Sequence, residues 1–467
     1  SGWSAWHRRQ TDPRSGLRPR PERMAISQVR VPHARLIVVA MAIVAAAGIL
    51  SLSRAYTFYF DEWDFILSAP GWSLTSYLQP HNEHPSMLFK VIYAALLNTV
   101  GLRSYWPYML ILVTLHAASA LLLFELVRRR AGDLVGLASA AMLLVLGAGW
   151  EDILWAFQIG WLGPVVCGLG MMLLLQGPST PQRLAAAMAL LMVALTLSSI
   201  GLFFGIAGAT MPLLTPARRR ELLWFVPVGV ALAAWYMAFG HSGASTVPPP
   251  SAANLVVLPA YVAWGLAGAV GGTIGVTGLP ALVVLVGGVG AVGFAWWRVH
   301  PDAFALGVAA ALVAFYVVTG LNRAQLGFDQ SASGRYVYIG AVLWLILLAD
   351  AARLLPWRGT WRPALAACLF LACFNSGVLL WAYGTAKTEL MLREVADLQA
   401  LAAERGNPCL DPAGFADRLV MPQVNNPALY YRAVDRYGDP AAGRPLDRRA
   451  DFDRAKSNLT RSDCTPT

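Results

Sequence analysis

Long apolar windows alternate with short polar stretches along the whole chain. A helix crossing a hydrocarbon core roughly 30 Å thick needs about 20 apolar residues. By that measure the windows at 36–53, 105–126, 134–146, 162–175, 184–197, 201–214, 222–239, 279–296, 304–318, 337–348 and 365–383 predict about eleven membrane spans. Arginines give them a direction. Arg30 and Arg35 precede the first window, Arg128, Arg129 and Arg130 follow the second, and Arg218, Arg219 and Arg220 close the sixth. Arg298 with His300, then Arg353, Arg358 and Arg362, mark later turns. Basic loops stay in the cytoplasm, so alternation predicts a multi-pass protein of the cell membrane with a cytoplasmic N-terminus and an extracytoplasmic C-terminus.

Two apolar segments do not fit a simple span. Residues 254–275 would reverse every later arginine if they crossed, and their Pro259 and glycines predict an interfacial or re-entrant segment instead. Residues 86–101 (SMLFKVIYAALLNTVG) are amphipathic and short, which predicts a helix lying along the outer interface. The chain then divides into a basic cytoplasmic tail (1–35), a transmembrane domain (36–385) whose first external loop covers 54–104, and a small external C-terminal cap (386–467) that begins as a helix. Residues 1–23, rich in Arg and Pro, read either as a disordered tail or as an extension upstream of Met24, without the marks of a cleavable signal. No internal repeat of the inverted-repeat transporter kind is visible.

Composition sharpens this into an all-α polytopic membrane protein. Hydrophobic residues make up 57% and charged residues 13%, and the mean hydropathy of +0.53 excludes an ordinary soluble domain. A formal charge of +10 would suggest nucleic acid in a soluble chain, but here the basic residues sit in topological clusters, so no nucleic-acid partner is expected. Of five cysteines, Cys167, Cys368 and Cys373 lie in apolar windows, and Cys409 and Cys464 lie in the polar tail. If that tail is outside the cytoplasm, the last two are disulfide candidates.

Against so apolar a background, the acids, histidines and amides gather on the predicted external side, as an outward-opening cavity would gather them. The first loop carries FDEWDF and PHNEHPS. Asp61 and Asp64, three residues apart, share a face if the segment is helical. With Glu62 they either cap a juxtamembrane helix in water or form a desolvated general base for a hydroxyl. His81, Asn82, Glu83 and His84 suit recognition of sugar hydroxyls or phosphate. A divalent metal is possible there but is not expected, because the spacing matches no specific metal motif. In GWEDILWAFQIGW, Glu151, Asp152 and Gln158 lie among tryptophans that serve either as interface anchors or as stacking surfaces for sugar rings. The late loop at 321–336 offers Arg323 and Arg335 on the side where arginine is disfavoured, suited to a phosphate group or, in the plainer alternative, to a salt bridge with Asp329.

The combination of DEWDF, PHNEHPS, GLRSYWPY and SGRYVY, with an interface helix and an external cap, resembles the GT-C superfamily of integral-membrane glycosyltransferases, in an uncharacterised actinobacterial-type branch, over most of residues 36–440. The resemblance implies a GT-C-like fold and transfer of a sugar from a polyprenyl-phosphate donor to an acceptor hydroxyl, with inversion, at the extracytoplasmic face. The acceptor would be a glycan, a lipid or a protein. Asp61 would match the first-loop base, with Glu62 or Asp64 in support, Arg335 together with Arg323 would match the late-loop basic residue that holds the donor phosphate, and Tyr336 in SGRYVY would contact substrate. The sequence has no adjacent Asp-Asp pair, so which of the three acids takes the proton stays open. It also has no nucleotide-binding glycine loop, as a lipid-linked donor implies, and no cofactor is required. Two other classes stand beside this one: a solute or lipid transporter or flippase, and a non-catalytic envelope-assembly protein.

Overall fold

The computed structural model describes residues 30–242, 249–355, 359–462 and 464. The tail at 1–23, the middle of the loop at 241–251 and Arg358 fall outside the described residues. What is described is helical, with two isolated β-bridges and no strand. After the apolar α1 (Ala34–Leu52), the first loop folds into three short helices, α2 (Glu62–Ser68), α3 (Leu74–Leu78) and α4 (Met87–Thr99). Tyr56, Phe58, Trp63, Phe65 and Tyr93 of this loop are buried together with Tyr105 and Tyr108. Their rings meet mostly edge to face, Phe58 lying 5.1 Å from Tyr105 and 5.0 Å from Tyr108. Such pairs contribute about 0.5–1.5 kcal/mol each beyond their area, so the loop is a packed platform.

The bundle follows as α5 (Trp106–Ala131), α6 (Asp133–Leu144), α7 (Trp150–Leu154), α8 (Ile159–Leu175), α9 (Pro181–Leu197), α10 (Gly201–Leu214), α11 (Leu222–Phe239), α12 (Ala253–Gly272), α13 (Pro280–Arg298), α14 (Ala303–Arg323), α15 (Gly334–Ala352) and α16 (Trp361–Ala403). Helix starts are set locally. Thr180 accepts from the Arg183 N–H ahead of Pro181, and Asp302 accepts from the Ala305 N–H at 2.8 Å. Gly132, at φ 90°, makes the turn from α5 into α6 that a residue with a Cβ would strain.

The arginine clusters share one end of the bundle. Arg35 pairs with Glu125 at 3.3 Å, Arg128 with Asp133 at 3.2 Å, and Arg130 with both Asp302 at 2.9 Å and Asp350 at 3.0 Å. Arg218 pairs with Glu221 at 2.7 Å and donates to the Leu175 carbonyl at the end of α8. Candidate site residues lie at the opposite end.

Among the described residues nine helices are long and apolar enough to cross a membrane, or ten if the α6–α7 pair, bent by 48°, counts as one. The expected figure of about eleven is not reached, because α9 and α10 have only 17 and 14 residues. One of the nine is α12, an unbroken helix of 20 residues, yet both its ends lie at the site end. At its start Asn254 donates to the Leu321 carbonyl at 2.8 Å, and at its finish Gly272 abuts Ala148 and Val337. In between it packs on the turn Phe328–Ala332. It therefore lies across the bundle, and α13 still runs from the site end to the arginine end.

At 43 residues α16 is a single helix that passes through position 385, where composition shifts from apolar to polar. Its C-terminal half carries α17 (Pro427–Tyr437) and α18 (Arg449–Leu459), and a Cys409–Cys464 disulfide ties this cap together. The cap sits on the first loop: Arg444 donates to the Ala55 and Tyr56 carbonyls at 3.1 and 2.9 Å, and the Leu102 N–H donates to the Tyr437 carbonyl at 2.9 Å.

Candidate active site

The three acids of FDEWDF have three different environments. Phe60 sits at φ 50°, a left-handed conformation that costs a bulky residue roughly 1–3 kcal/mol. That turn lets Glu62 point back into the platform. There it is fully buried and accepts from the Tyr93 hydroxyl at 2.6 Å, the Tyr105 hydroxyl at 3.0 Å and the Tyr59 N–H at 2.8 Å. Burial pushes its carboxyl up to about 7, against the opposing effect of these bonds. Glu62 thus holds the platform together, and the expectation that it supports catalysis directly meets a carboxylate with its acceptors already engaged.

Asp61, the N-cap position of α2, faces the other way. Burial raises its pKa, and the Arg335 and Arg323 guanidiniums work against that rise. Its Oδ1 accepts from Gln423 Nε2 of the cap at 3.4 Å. Asp64, one turn on, is pushed up to about 7 by burial and then by the Asp61 charge.

PHNEHPS forms a tight turn. His81 and His84 exchange backbone hydrogen bonds of 3.1 Å each, and Asn82 sits at its apex at φ 50°, where asparagine is tolerated. The turn sends the histidines in different directions. His81 packs 5.0 Å from the Phe65 ring and 5.5 Å from Phe157, and burial lowers its pKa to about 4. Glu83 pairs with Arg323 at 2.5 Å, and His84 bonds Ser199. Glu83, His84, Arg323 and Tyr336 line a cavity of about 70 Å³ with Trp161 and Phe203.

A second cavity, about 200 Å³, lies at the start of α15 and is lined by Trp150, Glu151, Ser333, Gly334 and Tyr383, among others. Glu151 accepts from the Gly334 N–H at 3.3 Å and lies 3.2 Å from Arg335 Nε. Its carboxylate therefore occupies a helix N-terminus and a guanidinium at once, donors that suit any anion. The Ser333 hydroxyl, both Asp152 oxygens and Gln158 Oε1 are buried with no hydrogen-bond partner. Arg335 acts electrostatically on Asp61, His84 and Asp152, so these lie around one guanidinium.

Two residues here escape a reading of the sequence. Lys387 is buried with no hydrogen-bond partner, its ammonium 4.2 Å from the Tyr59 ring centre and within 5.5–5.8 Å of Trp155, Trp150 and Tyr56. Only its spacing of one helical turn from Tyr383 could have signalled it. Gln423 lies in an irregular stretch of the cap that carries no signal at all. No group of three or more His, Cys, Asp or Glu side chains among the described residues is arranged to hold a metal ion.

No family model matches the chain, and no curated protein matches it. Two solved structures are similar to it over 90% of its length and 76% of theirs. They are ArnT from Cupriavidus metallidurans bound to undecaprenyl phosphate, at 17% identity and a TM-score of 0.46, and the same protein in the apo state, at 16% and 0.48.

Proposed function

We propose that this chain is a GT-C-type glycosyltransferase that moves a sugar from a polyprenyl-phosphate donor to an acceptor hydroxyl at the extracytoplasmic face, with inversion and with Asp61 as general base. The observation that carries the reading is the opposition of Asp61 and Arg335, distant in sequence, across one polar site at the end of an apolar bundle. Asp61 is partly desolvated, which raises its basicity, and it remains open to a partner while Glu62 is saturated. Base catalysis of this kind accounts for about 10²–10⁴-fold in rate.

In the step proposed, Asp61 takes the acceptor hydroxyl proton as that oxygen bonds to the sugar C1. The C1–O bond to phosphate breaks with its electron pair, releasing polyprenyl phosphate. Arg335 and the α15 N-terminus, now engaged by Glu151, stabilise the charge that develops there. Phosphate is already a good leaving group, so neither a general acid nor a cofactor is needed. Exposed Thr277 and Gly278 border the larger cavity, which suits lateral entry of a lipid-linked donor. The arginine clusters at the far end favour a cytoplasmic position for that end, and so an external site and an external cap.

The test is transfer from polyprenyl-phosphate-linked sugars by purified protein in vesicles, comparing Asp61→Asn with the parent chain. The expected result is a loss of about 100-fold or more with an unchanged melting temperature. Near-parental transfer removes Asp61 as the base. Movement of the lipid-linked sugar across the vesicle without any product favours a flippase instead.

A further inference from the structure

We infer that the C-terminal cap is part of the acceptor site, with Gln423 holding Asp61 through its Nε2–H and presenting its Oε1 to a hydroxyl of the acceptor. This rests on the transferase reading for what the acceptor does. The contact itself is independent of that reading.

Two observations at Gln423 carry the inference. Its Nε2 donates to Asp61 Oδ1 at 3.4 Å, the one cap side chain on that carboxylate among the described residues. Its Oε1 is buried with no hydrogen-bond partner, although a buried amide oxygen is normally paired. An amide that gives its N–H to the base and keeps its oxygen free has the pattern needed to bind a hydroxyl next to the one being deprotonated.

The surroundings fix this amide in place. Asp417 accepts from the Leu419 and Val420 N–H groups at 2.8 and 3.3 Å and pairs with Arg393 at 2.5 Å and Arg454 at 2.9 Å. That clamp sets the chain leading to Gln423. The cap as a whole is held on the first loop by the bonds to Ala55, Tyr56 and Tyr437 and by Arg436 donating to the Pro70 carbonyl at 3.3 Å. Gln423 thus positions Asp61 through its N–H and meets the acceptor through its amide oxygen.

Other groups also face Asp61: Arg335 from α15, Arg323 from α14, Asp64 on its own helix and Tyr59 just before it. A hydrogen bond donated to a carboxylate favours its ionised form. Removing Gln423 Nε2 should therefore raise the pH at which Asp61 ionises, with the other four groups unchanged.

The test follows the carboxyl C=O band of Asp61 by infrared titration of the full chain in vesicles without substrate, the band being assigned by its loss in Asp61→Asn. Gln423→Met, similar in shape and unable to donate, is expected to move the midpoint up by about one pH unit. Gln423→Glu is expected to move it further, because a second carboxyl then faces the first. In transfer assays Gln423→Met should raise KM for the acceptor and leave KM for the donor alone. An unmoved midpoint in both variants overturns the inference even if the parent chain transfers sugar. A moved midpoint in a chain that transfers no sugar upholds the contact and sinks the transferase reading.

Discussion

Glu62 accepts three hydrogen bonds from inside an aromatic platform, so its truncation leaves two tyrosine hydroxyls and one N–H without an acceptor. Each such buried loss costs about 1–3 kcal/mol. Glu62→Ala is expected to lower stability by roughly 3 kcal/mol or more, and Glu62→Gln by much less, as read from thermal unfolding in detergent. The pH dependence has a definite sign. Its carboxyl ionises at about 7 in the folded chain against an ordinary 4.5, so the folded state prefers the protonated form. Stability from this residue is complete below 4.5 and is lost as the pH rises through 7. The melting temperature should therefore fall between pH 5 and 8 less steeply in Glu62→Gln than in the parent chain. The sequence pointed to Asp61, Glu83, His84, Glu151, Asp152, Arg323 and Arg335 as polar groups at one end, because polarity in an apolar chain is conspicuous. It could not separate Asp61 from Glu62, since that distinction rests on the left-handed turn at Phe60, nor could it separate His84 from His81, since that rests on Asn82.

At the scale of elements, hydrophobic length identifies helices but does not say where they lie. The α12 helix has the length and composition of a span and still lies across the bundle, because its start meets the end of α14, its finish meets the start of α15, and the turn Phe328–Ala332 packs between, alongside α13. Charge told more than length here, since only a non-crossing segment keeps the later arginines with the earlier ones. Helix α16 was obscured differently: its apolar stretch ends near 385, but no Gly or Pro follows until 406, and nothing stops the helix. Close packing fixes its position. A Cβ added to Gly147 would lie 2.3 Å from the Ser376 carbonyl oxygen and 2.6 Å from the Leu380 nitrogen, both backbone atoms that cannot step aside. Gly147→Ala is thus expected to push α16 off the bundle and lower stability by about 1–3 kcal/mol. The melting temperature checks this, with Gly229→Ala as control because nothing lies within 4 Å there.

In the whole molecule the cap is the least legible part in the sequence, since its short helices are separated by irregular chain and its contacts are long-range. The cysteines were the exception. The Cys409–Cys464 bond closes a loop of 55 residues that contains α17 and α18. On the chain-entropy view a loop of that size is worth about 4 kcal/mol. Cys409→Ser, or reduction of the parent chain, should lower the unfolding temperature and open the region after Ala403 to protease before the membrane part is cut. Equal protease resistance with and without reductant would show that the ion pairs around Asp417 suffice alone.

The length of α16 has a structural consequence. At 1.5 Å per residue its 43 residues make a rod of about 65 Å, roughly twice the depth of a bilayer's hydrocarbon. One part of the rod is apolar and largely exposed, while the other carries Arg393, which clamps the irregular chain leading to Gln423. One unbroken helix thus runs from the apolar bundle to the clamp that sets Gln423 against Asp61.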